Sequence, residues 1–422
     1  MKIKISENLF NFAKLLSKKA ELYLVGGYVR NYFLGVLNSD IDLTSKLTVE
    51  ALEKLTQGTQ YKVQFKNKEL GTALILTENE VWEYSTFRKE VYPPNGSHTP
   101  VKVTFISDLL QDAKRRDFTA NAIYYNILKD EIVDVYSGTL DIKKKKLKAV
   151  ETPDYVFEND GLRILRMVRL SCELNFKLER ETYLKAKQMV YRLKDISGTR
   201  KYEELVKILN SGTRYSISNK NAFKKGLKMF NAMGIWSTYF PSVAKINYKT
   251  VLKAQPDKRF IALLIDLINT VNPDCIAYYL EFALGKDGLN FSKADQKETI
   301  QSINAYFDAL NGISNKKYFF NYYNQFEIIS DLLAKTSKNK FKKYNFYFKY
   351  INKFKIPIQI KDIKVSAQDI KEAYPQIPAK KYKQILEELF NRVFDAKVKN
   401  EKEELLKEVK NLIDFWNSDD YN

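Results

Sequence analysis

A chain of 422 residues, 45% of them hydrophobic, can bury two or more cores, which excludes disorder as its default state. Its net charge of +19 favours polyanionic partners, although a lysine-rich background composition leaves the same balance. Two cysteines far apart, Cys172 and Cys275, argue against a disulfide framework or a cysteine zinc site, and the single histidine, His98, excludes Ser-His-Asp catalysis and histidine-rich hydrolase centres.

The opening stretch, MKIKISENLFNFAKLLSK, sets Leu9, Phe12, Leu15 and Leu16 at helical spacing but has no apolar core with a cleavage site. Apolar runs such as 260–271 are interrupted by Asp266 and Asn269 before they reach the length of a membrane span. A protein without a membrane anchor, in a reducing cytoplasmic compartment, is the expectation.

Residues 23–44, YLVGGYVRNYFLGVLNSDIDLT, carry the densest signal. An apolar run at 22–25 stops at Gly26-Gly27 and gives way to a helical pattern through Arg30 and Leu34, closed by Gly35. Asn38-Ser39 is turn chemistry, and residues 40–43 alternate as a second strand. Side chains at i and i+2 of a strand share a face, so Asp40 and Asp42 project together while Ile41 and Leu43 enter the core. A Gly-Gly turn at a helix N-terminus admits an anion close to backbone N–H groups. Paired carboxylates hold magnesium together with phosphates. Both features together predict a nucleoside triphosphate site. Gly-Gly, Arg and Asp-x-Asp at this spacing resemble the signature of the DNA polymerase beta nucleotidyltransferase superfamily. In detail the stretch is similar to the class II tRNA nucleotidyltransferases and bacterial poly(A) polymerases.

Residues 1–150 alternate short strands with a few helices, which predicts a mixed sheet covered on one face. Later strands are expected at 61–65, 73–77, 81–87 and 101–105, helices at 108–115 and 119–125, and a last strand at 132–135. On the strand WEYSTFR, Glu83 matches a position that borders the active site in the family, so the resemblance implies a third carboxylate near the metals. By itself, one glutamate on a strand reads equally as an exposed charge. KEVYPPNGSHTP, between Arg88 and Val101, reads as a loop without regular structure. Relatives carry here a mobile loop that helps the change from adding C to adding A.

RRDFTANAIYYN, residues 115–126, resembles the family's second motif. Arg115 and Arg116 suit a triphosphate through their planar forks. Asp117 accepts from a ribose hydroxyl or orients an arginine, and Asn121 lies one helical turn on. DVYSGTLD, residues 134–141, resembles the family's hinge between sheet and helices, with Val135 and Ser137 in place of proline and glycine. The four lysines 143–146 read as a solvated loop.

FENDGLRILRMVRLSCELNF, residues 157–176, resembles the family's base-reading helix. Asp160 and Arg163 stand at i and i+3, with Arg166 and Arg169 continuing the stripe. A carboxylate accepts from an exocyclic amine and a guanidinium donates to a ring acceptor, a pattern that cytosine and adenine both offer. Guanine and uracil present the reverse, at a loss of roughly 1–3 kcal/mol per unmatched group. Asn159 stands where the family has a glutamate. In ISGTRKYEELVKILNSG, residues 196–212, Arg200 and Glu204 match the next family helix and are expected to support the base reader as an i,i+4 pair. The basic and aromatic stretch 316–355 reads first as a core-facing helix with a lysine exterior and second as an RNA surface. A final amphipathic helix at 401–416 groups Leu405, Val409, Leu412 and Phe415.

The likeness, which spans residues 23–212, implies an α+β fold. Residues 1–150 are then a polymerase-beta-like catalytic head of mixed sheet with helices, 151–215 an all-α base-reading neck, and 216–422 a helical body and tail that binds tRNA. The activity implied is addition of CMP and AMP from CTP and ATP to the tRNA 3′ end, without a template. Asp40 and Asp42 then hold two magnesium ions, Gly26, Gly27, Arg30 and Arg116 position phosphates, and Asp160 and Arg163 select the base. A poly(A) polymerase or an enzyme adding only CC or only A shares these residues. An inactive RNA-binding protein on the same fold is the alternative of another class, and a small-molecule nucleotidyltransferase lacks the base-reading helix and long tail.

Overall fold

Short strands separated by turns build the first part of the chain in a computed structural model that describes residues 3–36, 40–93, 99–213, 215, 219, 221–271, 276–312 and 316–419. Two compact units emerge: residues 1–247 with 267–296, and residues 248–266 with 297–422. The sequence expectations for Asn38-Ser39, 94–98, Cys275 and the side chain of Phe415 lie outside the described residues.

In the first unit, α1 (Glu7–Leu16) begins where Ser6 Oγ accepts from the Leu9 N–H, and it turns Leu9, Phe12 and Leu16 inward. There follow β1 (Tyr23–Val25), α2 (Gly27–Phe33), β2 (Asp42–Ser45), α3 (Val49–Thr56), β3 (Lys62–Asn67), β4 (Thr72–Leu76) and β5 (Val81–Thr86). Then come β6 (Arg88–Val91), β7 (Lys102–Phe105), α4 (Leu109–Lys114), a 3-10 turn (Thr119–Asn121), β8 (Tyr124–Asn126) and β9 (Glu131–Val133). The main sheet runs β3-β4-β5-β2-β1-β8-β9, with β2 and β5 parallel and the other neighbours antiparallel, a mixed sheet as expected. Phe12 anchors α1 against it, its ring 4.8 Å from Tyr61 and 5.4 Å from Trp82.

Three expectations for the strands and loops of the sheet region need correction. Residues 119–125 are not a helix: one 3-10 turn ends at Asn121, and Tyr124–Asn126 is an inner strand between β1 and β9. Tyr124 and Tyr125 are both buried, and a short run buried on every side shows no periodicity that separates strand from helix. The stretch after Arg88 is not all loop, because β6 pairs with β7 in a separate ribbon from Arg88↔Phe105 to Val91↔Lys102. Its charged residues hid it. The strand expected at 40–43 starts later, at Asp42, although the Glu83 N–H already donates to Ile41 O and Leu43 is buried as expected.

The unit continues with α5 (Gly138–Lys143), β10 (Lys146–Leu147), α6 (Pro153–Asn159), α7 (Leu162–Glu173), β11 (Lys177–Leu178), α8 (Arg180–Gln188), α9 (Gly198–Leu209) and α10 (Ala222–Met233). Asp134 ties the end of β9 to α5 by accepting from the Gly138 and Thr139 N–H groups and the Thr139 hydroxyl. Gly226 lets α10 cross α7 and α9 closely, since a Cβ there would lie 2.5 Å from Ile208 and 3.3 Å from Cys172.

Later helices are α11 (Arg259–Ile268), α12 (Ile276–Leu284), α13 (Lys293–Leu310), α14 (Lys316–Tyr322), α15 (Phe326–Thr336), α16 (Lys338–Lys353), α17 (Ala367–Ala373), α18 (Tyr382–Phe394) and α19 (Lys402–Asp419). In the second unit, Ile370, Ile385 and Leu389 meet Leu405, Val409 and Leu412 in one core. The basic and aromatic stretch divides: Tyr318, Phe319, Tyr344 and Ile351 are buried, whereas Phe346, Tyr350 and Phe354 are exposed among lysines. Among the described residues no helix is long and apolar enough to cross a membrane.

Candidate active site

β1 ends at a turn that only glycine enters easily. Gly26 has φ +71° and ψ −132°, and it caps α2. A Cβ on it would stand 3.1 Å from Asp42 Oδ2 and 3.9 Å from Arg116 Nη1, so the turn, an acid and a guanidinium converge. Gly26→Ala is expected to lose about 1–3 kcal/mol of stability through backbone strain. It should also raise the KM for nucleotide, as read by thermal melting and initial rates.

The acidic edge is set by strand register. Asp42 on β2 pairs with Glu83 on β5, which brings the two carboxylates side by side, and Asp40 lies just before β2. Burial raises the Asp42 pKa to about 6, the charges of Glu83 and Asp40 add to the shift, and Arg116 and Arg30 offset part of it. Burial therefore leaves the ionised Asp42 poorly solvated, a cost that a bound cation relieves. The donors are all carboxylate oxygens, suited to a hard divalent ion. Among the described residues no three of His, Cys, Asp and Glu form a complete metal cage. A two-carboxylate site whose remaining ligands come from phosphates fits that arrangement. Glu83 is half exposed and takes a 2.9 Å hydrogen bond from Lys66 Nζ.

Opposite stand the arginines, each held by an acid or amide. Asp112, fully buried on α4, accepts from Arg115 Nε at 2.8 Å and Arg116 Nη2 at 3.2 Å. Burial works to raise its pKa, but the two guanidiniums win and hold it at about 2. Arg116 Nε also donates to the Tyr124 hydroxyl at 2.8 Å. Arg30 is buried, with Nη1 donating to Asn121 Oδ1 at 2.6 Å and Nε and Nη2 to Asn31 Oδ1. Asn121 in turn donates to Asp117 at 2.9 Å. Asp117 orients Arg166, taking hydrogen bonds of 2.9 and 2.5 Å from its Nε and Nη2. Burial opposes the charge on Asp117, yet Arg166 and Asn121 hold its carboxyl well below the usual range.

The proposed base reader differs in detail from expectation. Asp160 does not share a helix with Arg163: it occupies the extended break after α6, where its Oδ1 accepts from the Leu162 N–H at 2.9 Å and starts α7. Arg163 Nε still lies 3.7 Å from Asp160 Oδ2, and its Nη2 donates to Arg115 O at 2.6 Å, which ties α7 to the second motif. Glu204 does not pair with Arg200, which bonds Glu203 on the surface. It instead accepts from Arg169 Nε at 2.7 Å, while Glu173 takes Arg169 Nη1 at 2.8 Å. This buried triad crosses from α7 to α9. An aspartate break and an interhelical ion pair are both invisible to an i,i+3 or i,i+4 count.

One cavity of about 600 Å³ gathers every site residue expected from the sequence: Gly26, Gly27, Arg30, Asp40, Asp42, Glu83, Arg115, Arg116, Asp117, Asn121, Asp160, Arg163, Arg166 and Arg169. It also contains residues that sequence reasoning missed, among them Arg88, Glu90, Tyr92, Lys207 and Tyr215. Glu90 accepts from Arg88 Nε and the Tyr92 hydroxyl, both at 2.6 Å, and lies 3.6 Å from Arg115 Nη1. The signal was available in the i,i+2 spacing of Arg88 and Glu90 on one face of β6, with Tyr92 just past its end.

Residues 22–148 match the family described as Poly A polymerase head domain, and 175–245 match the probable RNA and SrmB-binding site of polymerase A. The chain is 36% identical over 200 residues to a CCA-adding enzyme of Listeria monocytogenes, an alignment covering 46% of this chain and 48% of that protein. It thus spans about half the length of the curated relatives it first matches. With the CCA-adding enzyme of Lactobacillus delbrueckii subsp. bulgaricus it shares 32% identity over 304 residues, 70% of each chain. The crystal structure of the Bacillus stearothermophilus CCA-adding enzyme in complex with CTP has the same fold, with a TM-score of 0.67 at 19% identity, covering 97% of this chain and 98% of that one. The 32% identity over 70% of each chain, on a shared fold, identifies this chain as a member of the CCA-adding enzyme family within the polymerase beta nucleotidyltransferase superfamily.

Proposed function

We propose that this protein adds CMP and AMP from CTP and ATP to the 3′ end of tRNA, rebuilding the terminal CCA without a template. The observation that carries the reading is the single cavity in which a Gly-Gly turn, paired acids, clustered arginines and the Asp160–Arg163 pair meet. The solved neighbours include a Thermotoga maritima CCA-adding enzyme complexed with tRNA, which supports the same partner here.

In this reading the RNA 3′-hydroxyl oxygen attacks the α-phosphorus of the bound nucleotide, loses its proton, and pyrophosphate leaves in line. Gly26, Gly27, Arg30, Arg115 and Arg116 bind the triphosphate, and Asp112 and the Tyr124 hydroxyl hold Arg116 in position. Asp117 keeps Arg166 aimed into the cavity and, with Asn121, borders the ribose. Asp160 accepts from the amine of cytosine or adenine and Arg163 donates to the ring nitrogen, so the protein face replaces a template. Divalent metal is general in this family; Asp40 and Asp42 would hold it, as magnesium, with Glu83 beside them. When bound, such an ion neutralises phosphate charge and lowers the pKa of the attacking hydroxyl. We further read residues 1–150 as catalytic head, 151–215 as base-reading neck and 216–422 as tRNA-binding body and tail, working in the cytoplasm where tRNA and nucleotides are found.

The test is extension of a labelled tRNA lacking CCA, with CTP and ATP singly and together. Growth by CCA and then arrest is the expected result. Stopping at CC, adding A alone to a CC end, or running on with ATP would replace the reading by a partial enzyme or a poly(A) polymerase.

A further inference from the structure

In-line displacement keeps the leaving pyrophosphate and the attacking hydroxyl on opposite sides of the α-phosphorus. Gly26, which follows β1, stands on the β1 side of Asp42. The RNA end therefore arrives from the other side, where β5, β4 and β3 continue the sheet. A smaller hollow of about 250 Å³ runs from there back to the second-motif arginines, sharing Asp42, Glu83, Arg88, Arg115 and Arg116 with the main cavity and adding Lys66, Thr72 and Ser85.

Lys66 reaches this hollow through a defect in the sheet. Phe65 pairs with Ala73 and Asn67 with Thr72, which makes Lys66 the extra residue of a β-bulge on β3. Bulges re-aim side chains beside active sites. Here the ammonium is carried past β4 to Glu83 on β5, 2.9 Å away. Both side chains of that pair are about half exposed, so it contributes little to stability. An ammonium has three donors, of which Glu83 takes one.

We propose that Lys66 binds the last phosphodiester of the RNA acceptor and so positions the 3′-hydroxyl over the Asp42–Glu83 edge. The inference rests on the nucleotidyl-transfer reading above. It makes Lys66 a positioning residue outside the glycine, aspartate and arginine motifs, and it gives the β3 bulge a purpose.

The experiment compares wild type, Lys66→Ala, Lys66→Arg and the surface control Lys18→Ala, using a tRNA lacking CCA, with thermal melting to verify folding. Binding is measured against salt concentration in EDTA, and KM is measured separately for RNA and for CTP. Lys66→Ala should weaken RNA binding and raise the RNA KM about 5- to 10-fold, and lower the salt slope by about 0.7–1. The CTP KM should stay constant, and Lys66→Arg should restore most of the RNA affinity. Unchanged RNA affinity and slope in a protein whose wild type extends tRNA would overturn the proposal. A raised CTP KM with unchanged RNA binding would do so too, by moving Lys66 to the pyrophosphate side. A wild type that extends no RNA would instead remove the underlying reading, a failure seen before any variant is compared.

Discussion

Asp42→Ala should reduce nucleotide addition by about 10³-fold or more while leaving tRNA affinity nearly unchanged, because in the proposed mechanism this carboxylate helps hold a metal that stabilises charge worth several kcal/mol in the transition state. The same position makes a second, independent prediction. In the metal-free protein the Asp42 pKa is raised by burial, and by Glu83 and Asp40, from 3.8 to about 6. A raised carboxyl pKa means that the ionised form is disfavoured by folding. The favourable contribution is complete below about pH 4 and lost as pH rises through about 6. Asp42→Asn should therefore melt at a higher temperature than wild type at pH 7 in EDTA, and the difference should vanish near pH 4. A variant that is inactive and yet more stable would separate a site strained for function from one that merely packs. Loss of activity with a lower melting temperature at pH 7 would contradict the electrostatic account.

The second large effect is expected in base choice. Replacing Asp160 by alanine removes the acceptor proposed for the exocyclic amine, so preference for CTP and ATP over UTP and GTP should fall about 10- to 100-fold. Asp160 also starts α7 through the Leu162 N–H, and losing such a cap costs about 1 kcal/mol. Asp160→Asn separates the two roles, because the amide oxygen still caps the helix while the amide nitrogen adds a donor that suits a carbonyl. Competition assays with all four nucleotides, beside thermal melts, read both. Unaltered selectivity in Asp160→Ala would shift base reading to other residues of the cavity, with Tyr92 and Arg88 the next to test.

Much of this molecule follows from local sequence. Gly26-Gly27 before a helical pattern, the Asp-x-Asp alternation and the Arg-Arg-Asp stretch each specify backbone conformation and side-chain direction within a few residues, where dihedral and steric rules act. The α+β class and the residues of the cavity were legible because these motifs, in this order, resemble a known family. Partners were not. Asp117 holds Arg166 across 49 positions, Glu204 takes Arg169 across 35, and Lys66 finds Glu83 across 17 through a bulge. The charged strand β6 read as loop because Glu90 is buried only once Arg88 and Arg115 surround it. Buried Tyr124 and Tyr125 read as helix because a central strand has no solvent side to impose alternation. Local rules and the motif resemblance indicated which residues face the site, whereas ion pairing falls off with spatial distance and desolvation depends on packing, so the folded chain alone decided which acid holds which arginine.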